Sequence, residues 1–335
     1  MKTMNTFVAA LTAAIALGAA GLQAETMRLG DFQSTSHIVS VEGTTKWMAA
    51  VEEETGGKIT FEHFPSQQAA KSKAQLDAVN NGILDAALLG TPYHADVLPL
   101  NSVVALPGYY GSAVEGTEAL QSMLEEGPLR EEILATGVTP IFGFVLPPYQ
   151  VLAKTRLGAP ADWDAQDIRT SGSTQAMTAR ALGGVGISIP GPEVYTAVER
   201  GRLDAVLFPL ASVPGYKLNE VVSHISTNGS FGGYSFVVVV NEDVWEGLSD
   251  ANKAAMIDAG KAAAANVAKA QDDSIEGLLA EWRAAGIDAY SLTDEEQAAI
   301  NSALTAVSDD WLGRMSDKGD AAKAVLDGFL SAAGN

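Results

Sequence analysis

The sequence predicts an α/β fold in two lobes, each a mostly parallel sheet flanked by helices, joined by hinge strands and one long bridging helix. Three observations predict it. Residues 27–89 run strand, helix, strand, helix, strand. Residues 152–208 return to the same alternation. Beyond Ser249 the helical pattern continues to about Arg283, too far for a single lobe.

Within the first run, residues 27–32 alternate weakly as a strand and give way to a polar loop at 33–37. Residues 41–54 place Val41, Thr44, Met48 and Val51 on one helical face, and Thr55-Gly56-Gly57 stops them. Residues 58–64 alternate Ile59, Phe61 and His63 against Lys58, Thr60 and Glu62, a strand that Pro65 ends. A helix at 71–80 closes on Asn81-Gly82, and 83–89 is a short apolar strand of the kind buried in a parallel sheet. Strands alternating with helices imply parallel pairing.

In the second run, 152–153 and 167–170 are strand segments, and 173–182 is a helix ended by Gly183-Gly184. Residues 185–189 form a strand, 194–200 a helix closed by Gly201, and 203–208 a strand closed by Pro209. Gly82-Ile83-Leu84-Asp85-Ala86 and Gly201-Arg202-Leu203-Asp204-Ala205 share one helix-to-strand form, which fits either a structural repeat or convergence on a common turn. Residues 231–241 are a β-branched strand. Ser249 caps the long helix, whose apolar face carries Met256, Ala259, Ala263, Val267, Ala270 and Ile275 before Gly286 ends it. At ~1.5 Å per residue it approaches ~50 Å, so it bridges both lobes. Thr293-Asp294-Glu295-Glu296 is a capping box for a helix to about Met315, and a last helix spans 320–333. Lobe I is then 25–148 plus about 237–275, and lobe II 149–236 plus about 276–335.

Composition narrows the function. The chain has 335 residues, 47% hydrophobic and 19% charged, enough for about two globular domains. With 41 acidic against 21 basic residues the net charge is −20, which excludes a nucleic-acid binder and disfavours anionic membrane surfaces. The absence of cysteine excludes thiol catalysis, disulfides and thiolate-bound zinc. Lys2, the apolar run 7–20 and the small Ala24 read as a secretory signal peptide over 1–24, removed after about Ala24. The run is too short to span a bilayer, and the mature chain is expected to be exported without inserting into the membrane.

The chain carries few motifs of catalytic chemistry. The four histidines, His37, His63, His94 and His224, form no paired metal motif. No phosphate loop or nucleophile elbow occurs, and Gly183-Gly184-Val185-Gly186 follows a helix rather than a strand. No cofactor or metal is expected, and an exported two-lobe enzyme is the minority alternative. The acidic runs 52–54, 272–273 and 295–296 read as solvated faces.

Segments 47–60, 80–88 (Asn-Asn-Gly-Ile-Leu-Asp-Ala-Ala-Leu), 164–169, 182–204 and 244–248 together, in this order and spacing, resemble the solute receptors of tripartite ATP-independent periplasmic (TRAP) transporters. The resemblance covers essentially the whole mature chain. It implies a periplasmic-binding-protein-like fold that closes on an organic acid, delivery to membrane permease subunits, and a periplasmic location. It also implies a carboxylate-binding arginine at the end of a D-x-x-G-x-x-x-R segment. Here that segment is Asp162 to Arg169, with Ala165 where glycine is usual. A guanidinium meets a carboxylate with two parallel bonds. From the residues alone, pairing of Arg169 with a neighbour such as Asp167 is an equal alternative.

Two positions depart from the family pattern. Phe208 stands where many members have an asparagine, and Tyr149 where some have a second arginine. One arginine with two aromatic rings suits an aromatic monocarboxylate such as benzoate or a hydroxybenzoate. The alternative ligand is an aliphatic hydroxy-, oxo- or dicarboxylic acid. Gln33, His37, Gln68, Thr91, Tyr93, Phe231 and Tyr234, in loops at strand ends or entering the valine-rich strand, are further candidates for the wall. For His37 a purely structural role is equally open.

Overall fold

The structure, a computed structural model, describes residues 24–334. All but the last residue of the expected signal peptide lies outside them. The described strands are β1 Glu25–Gly30, β2 Ile59–Phe64, β3 Ala86–Gly90, β4 Val138–Val145, β5 Gln150–Ala153, β6 Asp167–Thr170, β7 Val185–Ser188, β8 Ala205–Phe208, β9 His224–Ser226, β10 Ser235–Asn241 and β11 Asp288–Tyr290. They make two sheets, ordered β2-β1-β3-β10-β4 and β11-β9-β5-β8-β6-β7.

The expected two-lobe α/β fold is present, and both sheets are mixed. In the first, β2, β1 and β3 are parallel while β10 lies antiparallel between β3 and β4. In the second, β8, β6 and β7 are parallel, and β5 runs antiparallel to β8 and β9. The strand β3, Ala-Ala-Leu-Leu-Gly, is buried at every residue, as its apolar run requires. The sequence reading gives no element for 95–148, where β4 and the helices Ala113–Glu125 and Pro128–Leu134 form. Pro140 in β4 has no N–H for the ladder, and the register against β10 slips there, between Val238 and Val239.

The long helix runs from Asp250 to Ala284, with the Ser249 hydroxyl accepting from Asn252 N–H. It packs on the helices and β4 of the first lobe, and on β11 and the turn Leu210–Ser212 of the second. Near its start Trp47 Nε1 donates to the Met256 carbonyl at 3.0 Å; near its end Trp282 is buried in the second lobe's core. Asp272, read from its spacing as part of a solvated face, is half-buried and has a structural partner. Its carboxylate accepts from Ala113 N and Val114 N at 2.9 and 3.0 Å, satisfying orphan N–H groups at a helix start.

The capping box at Thr293 forms, but the helix it opens ends at Leu304 and a second one, Val307–Arg314, follows. The last helix, Asp320–Ala332, lays Ala322, Val325, Leu326 and Phe329 against the Ala113–Glu125 helix. The chain's end therefore packs on the first lobe, against the expectation that 276–335 belongs with the second.

The chain passes between the sheets at two crossovers, 146–149 and 227–234, and along the long helix; the two crossovers run side by side. Leu146 N donates to Tyr234 O, Tyr149 N to Gly232 O and Phe231 N to Tyr149 O, at 2.9 to 3.0 Å. Gly232 has φ +104°, and a Cβ there would fall 2.4 Å from the Ala105 carbonyl. Only glycine tolerates both conditions, so β10 starts at Ser235 rather than at Phe231.

Candidate functional site

The crossovers meet the C-terminal ends of β1, β3, β6 and β8, where ligands of α/β sheets sit. A cavity there is lined by Phe32, Gln33, Tyr93, Leu146, Tyr149, Arg169, Gly191, Phe208, Pro209, Ser212, Tyr216, Tyr234 and Phe236. It measures about 20 Å³, room for about one water molecule.

Arg169, on β6, is its only charged lining residue and is 1% exposed. Nε donates to Ile189 O at 2.8 Å and Nη1 to Leu207 O at 3.0 Å, which fixes the plane of the guanidinium. Its carbon lies 5.0 Å from the centre of the Phe208 ring. Arg169 forms no ion pair with any described residue, the neighbouring Asp167 included. A buried cation without a counter-charge is costly, and an anion entering the cavity relieves that cost. The Tyr149 phenol sits beside this guanidinium; burial raises its pKa, so it stays protonated. The Tyr149 and Phe208 rings are tilted, with centres 6.2 Å apart.

Contacts between the lobes close the cavity. Gly191 N donates to Tyr93 Oη at 2.8 Å, and the Tyr216 hydroxyl donates to Gln33 Oε1. Behind that contact the His37 ring lies 5.2 Å from the Tyr216 ring. His37 Nδ1 accepts from Val39 N at 3.2 Å, so neutral His37 carries its proton on Nε2, which has no partner. Burial pushes the His37 pKa down to about 4, opposed by the Asp31 carboxylate.

Outside the cavity a cleft of about 490 Å³ shares Phe32 and Tyr216 with it and also touches Ser66, Gln67 and Lys217. Those last three have left-handed backbones, φ +54°, +62° and +56°. Strained residues gather at ligand clamps and hinges, and here they rim the mouth. A larger cleft of about 1010 Å³ lies on the first lobe around Lys73, Asp77, His94, Asp96, Glu131 and Lys318. Its charges are mixed in sign, and it presents no buried, unpaired cation. Among the described residues no group of His, Asp or Glu could hold a metal ion, and no helix is long and apolar enough to cross a membrane.

Of the residues singled out in the sequence, Arg169, Phe208, Tyr149, Gln33, Tyr93 and Tyr234 come together on this cavity. His37 stands one layer back, behind Tyr216. Thr91 is turned away, its Oγ1 2.5 Å from Ser235 Oγ, pinning β3 to β10. Phe231 is swallowed by the core, 5.0 Å from the Trp163 ring, because the chain turns at Gly232 after it. Gln68 is exposed and outside the lining; its neighbour Gln67 is the one at the mouth. Phe32, Ser212 and Tyr216 were not legible as wall residues. Only the strand end before Phe32 and the Pro214-Gly215 turn before Tyr216 hint at them.

The sequence profile described as "Bacterial extracellular solute-binding protein, family 7" matches residues 30–313. The C4-dicarboxylate-binding periplasmic protein DctP of Rhodobacter capsulatus is 28% identical over 300 residues, covering 84% of this chain and 86% of its own. A TRAP solute-binding protein from Rhodoferax ferrireducens T118, solved with copurified benzoate, superposes with a TM-score of 0.86 at 20% identity, covering 92% of this chain and 98% of its own. Another, from an unidentified microbe of a marine metagenome and solved with copurified pyroglutamate, has a TM-score of 0.82 at 19% identity, covering 92% and 99%. At such identities the superpositions speak for the fold.

Proposed function

Because this chain belongs to bacterial extracellular solute-binding protein family 7, we propose that it is the receptor of a TRAP-type transporter and that its ligand is an organic monocarboxylate held by Arg169. The single observation behind the ligand class is the Arg169 guanidinium, buried at the cavity with no ion-pair partner. One carboxylate compensates it, and a second would meet no second cation. The preferred ligand is aromatic, of the benzoate or hydroxybenzoate type. Phe208, Tyr149, Phe32 and Tyr93 offer ring faces, and the superposed Rhodoferax protein holds benzoate.

A second reading, a small aliphatic hydroxy- or oxo-acid, is favoured by the cavity's size. At about 20 Å³ it is far below the ~150 Å³ that takes a benzene ring. An aromatic ligand therefore requires the walls to part and to re-close around it. Opening about the paired crossovers at 146–149 and 227–234, which divide lobe I from lobe II, would provide the access, with ligand contacts to both lobes favouring the closed state. The mature receptor works in the periplasm, after removal of the segment ending near Ala24, and hands its ligand to membrane permease subunits. It uses no cofactor or metal and catalyses no reaction on the ligand.

The test is calorimetry on the mature chain with a panel of organic acids. Tight binding of benzoates supports the aromatic ligand. Tight binding of lactate or pyruvate with none of benzoates replaces it with the second reading. Tight binding of malate or succinate alone refutes the single-carboxylate site.

A further inference from the structure

The cavity contains more hydrogen-bonding capacity than a bare carboxylate can use. Ser212 follows β8 on the turn Leu210–Ser212; it lines the cavity, is 2% exposed, and its Oγ has no hydrogen-bond partner among the described residues. The turn is held by backbone bonds, with Ser212 N donating to Pro209 O, so the hydroxyl has no local task. Tyr234, on the crossover from the other side, is also 2% exposed. It lines the same cavity, and its hydroxyl, beside the Tyr93 phenol, meets no partner at full hydrogen-bond geometry; the two rings stand 5.3 Å apart, centre to centre. Leaving a buried hydroxyl unpaired is costly. Thr44, Thr170, Ser171 and Thr178 also lack a partner, but of the buried described groups without one only Ser212 and Tyr234 line the cavity. Neither belongs to the guanidinium, which is fixed by Ile189 O and Leu207 O.

We propose that Ser212 and Tyr234 form a subsite for a second oxygen function, so that the ligand is a hydroxy or oxo derivative of a monocarboxylate rather than the bare acid. This rests on the reading of Arg169 as the carboxylate anchor. The ligand's carboxylate meets Arg169 while its hydroxyl or oxo group takes the place of the missing partner of Ser212 Oγ, with Tyr234 Oη as the second contact. A hydroxyl can donate to one and accept from the other; an oxo group accepts from both. A site built this way rejects the analogue lacking the oxygen, because the protein's own hydroxyls are then left buried and unpaired.

The experiment is calorimetry at pH 7.5 on the mature wild type, Ser212→Ala and Tyr234→Phe. The ligands are the three monohydroxybenzoates against benzoate, and lactate and pyruvate against propionate. The wild type is expected to prefer at least one oxygenated acid over its parent by about tenfold or more. Ser212→Ala is expected to reduce that preference to within about threefold, by weakening the derivative and sparing the parent an unpaired hydroxyl, and Tyr234→Phe to reduce it in part. Equal binding of parents and derivatives by the wild type overturns the subsite and leaves the carboxylate anchor standing. Equal weakening of both by Ser212→Ala also overturns it, because the hydroxyl then serves the carboxylate. If no monocarboxylate binds the wild type, the anchor reading falls and the subsite falls with it.

Discussion

Should the lobes open and close as proposed, binding weakens in acid, because the closed arrangement buries His37. The imidazole is covered by Tyr216 and Gly215 of the second lobe, and a Cβ on Gly215 would fall 2.3 Å from its ring. In the closed structure its pKa is pushed down to about 4 by burial, against the opposing Asp31. When the lobes part, the ring meets water and returns toward about 6.5. Below that value the open state holds a proton that the closed state does not, so closing releases it. The closed state is thus at full strength above about pH 6.5, weakens as pH falls, and levels off near the closed-state value. Between pH 7.5 and 5.5 the linkage amounts to about a tenfold loss of affinity. A ligand acid with a pKa near 4 stays largely ionised over that range, so the slope reports the protein. Titration calorimetry at several pH values measures it. His37→Asn keeps an acceptor for Val39 N–H in place of Nδ1 but cannot titrate, and its profile should be flat. A flat wild-type profile, or the same slope in His37→Asn, would refute the reasoning.

Three further outcomes are expected. Arg169→Ala should cost at least about tenfold in affinity, the size of one lost charge-assisted bond; calorimetry reads it, and unchanged affinity would move the anchor elsewhere. Ala165→Gly should stabilise the fold by up to about 1 kcal/mol, because Ala165 sits at φ +57°, where an alanine costs ~1–2 kcal/mol and glycine gives back ~0.5–1 through unfolded-state entropy; a lower urea midpoint would contradict this. Glu296 accepts from both Nη atoms of Arg156, at 2.6 and 2.7 Å, and from Thr293 N, which hold its pKa down at about 2. Its contribution is present above about pH 4.5 and lost as pH falls toward 2, so the deficit of Glu296→Gln, about 1 kcal/mol at this partly exposed pair, should shrink between pH 7 and 3; a pH-independent deficit would rule out the ionic origin.

The features legible in the sequence are those fixed by near neighbours. The Ser249 cap and the Thr293–Glu296 box lie within one helical turn, and both form as their spacing demands. The wholly apolar β3 and the glycine stops of the paired helices are equally local. The signal fails where distant chain decides. Pro140 and Gly143 disguise β4, which forms because β10 lies beside it with a slipped register. Asp272 looks like any surface carboxylate of a long helix until Ala113 and Val114 arrive at it from far along the chain. Thr305 and Ala306 carry no strong breaker, yet the helix ends there.

The site divides in the same way. Arg169, Tyr149 and Phe208 stand where the family resemblance pointed, and all three line the cavity. Whether a loop side chain faces in or out is set by packing: Gly232 turns Phe231 into the core, and Ser235 draws Thr91 away. Tyr216 and Ser212 join the wall because the second lobe lies over Gln33 and His37 of the first. By itself the sequence determined the alternation of elements and the long bridging helix, since each is written in local spacing and side-chain chemistry; the arginine was singled out by the family resemblance. The tertiary structure alone decided the cavity's small volume, the missing counter-ion of Arg169 and the burial of His37. Those depend on distances between residues far apart in the chain, which no local pattern encodes.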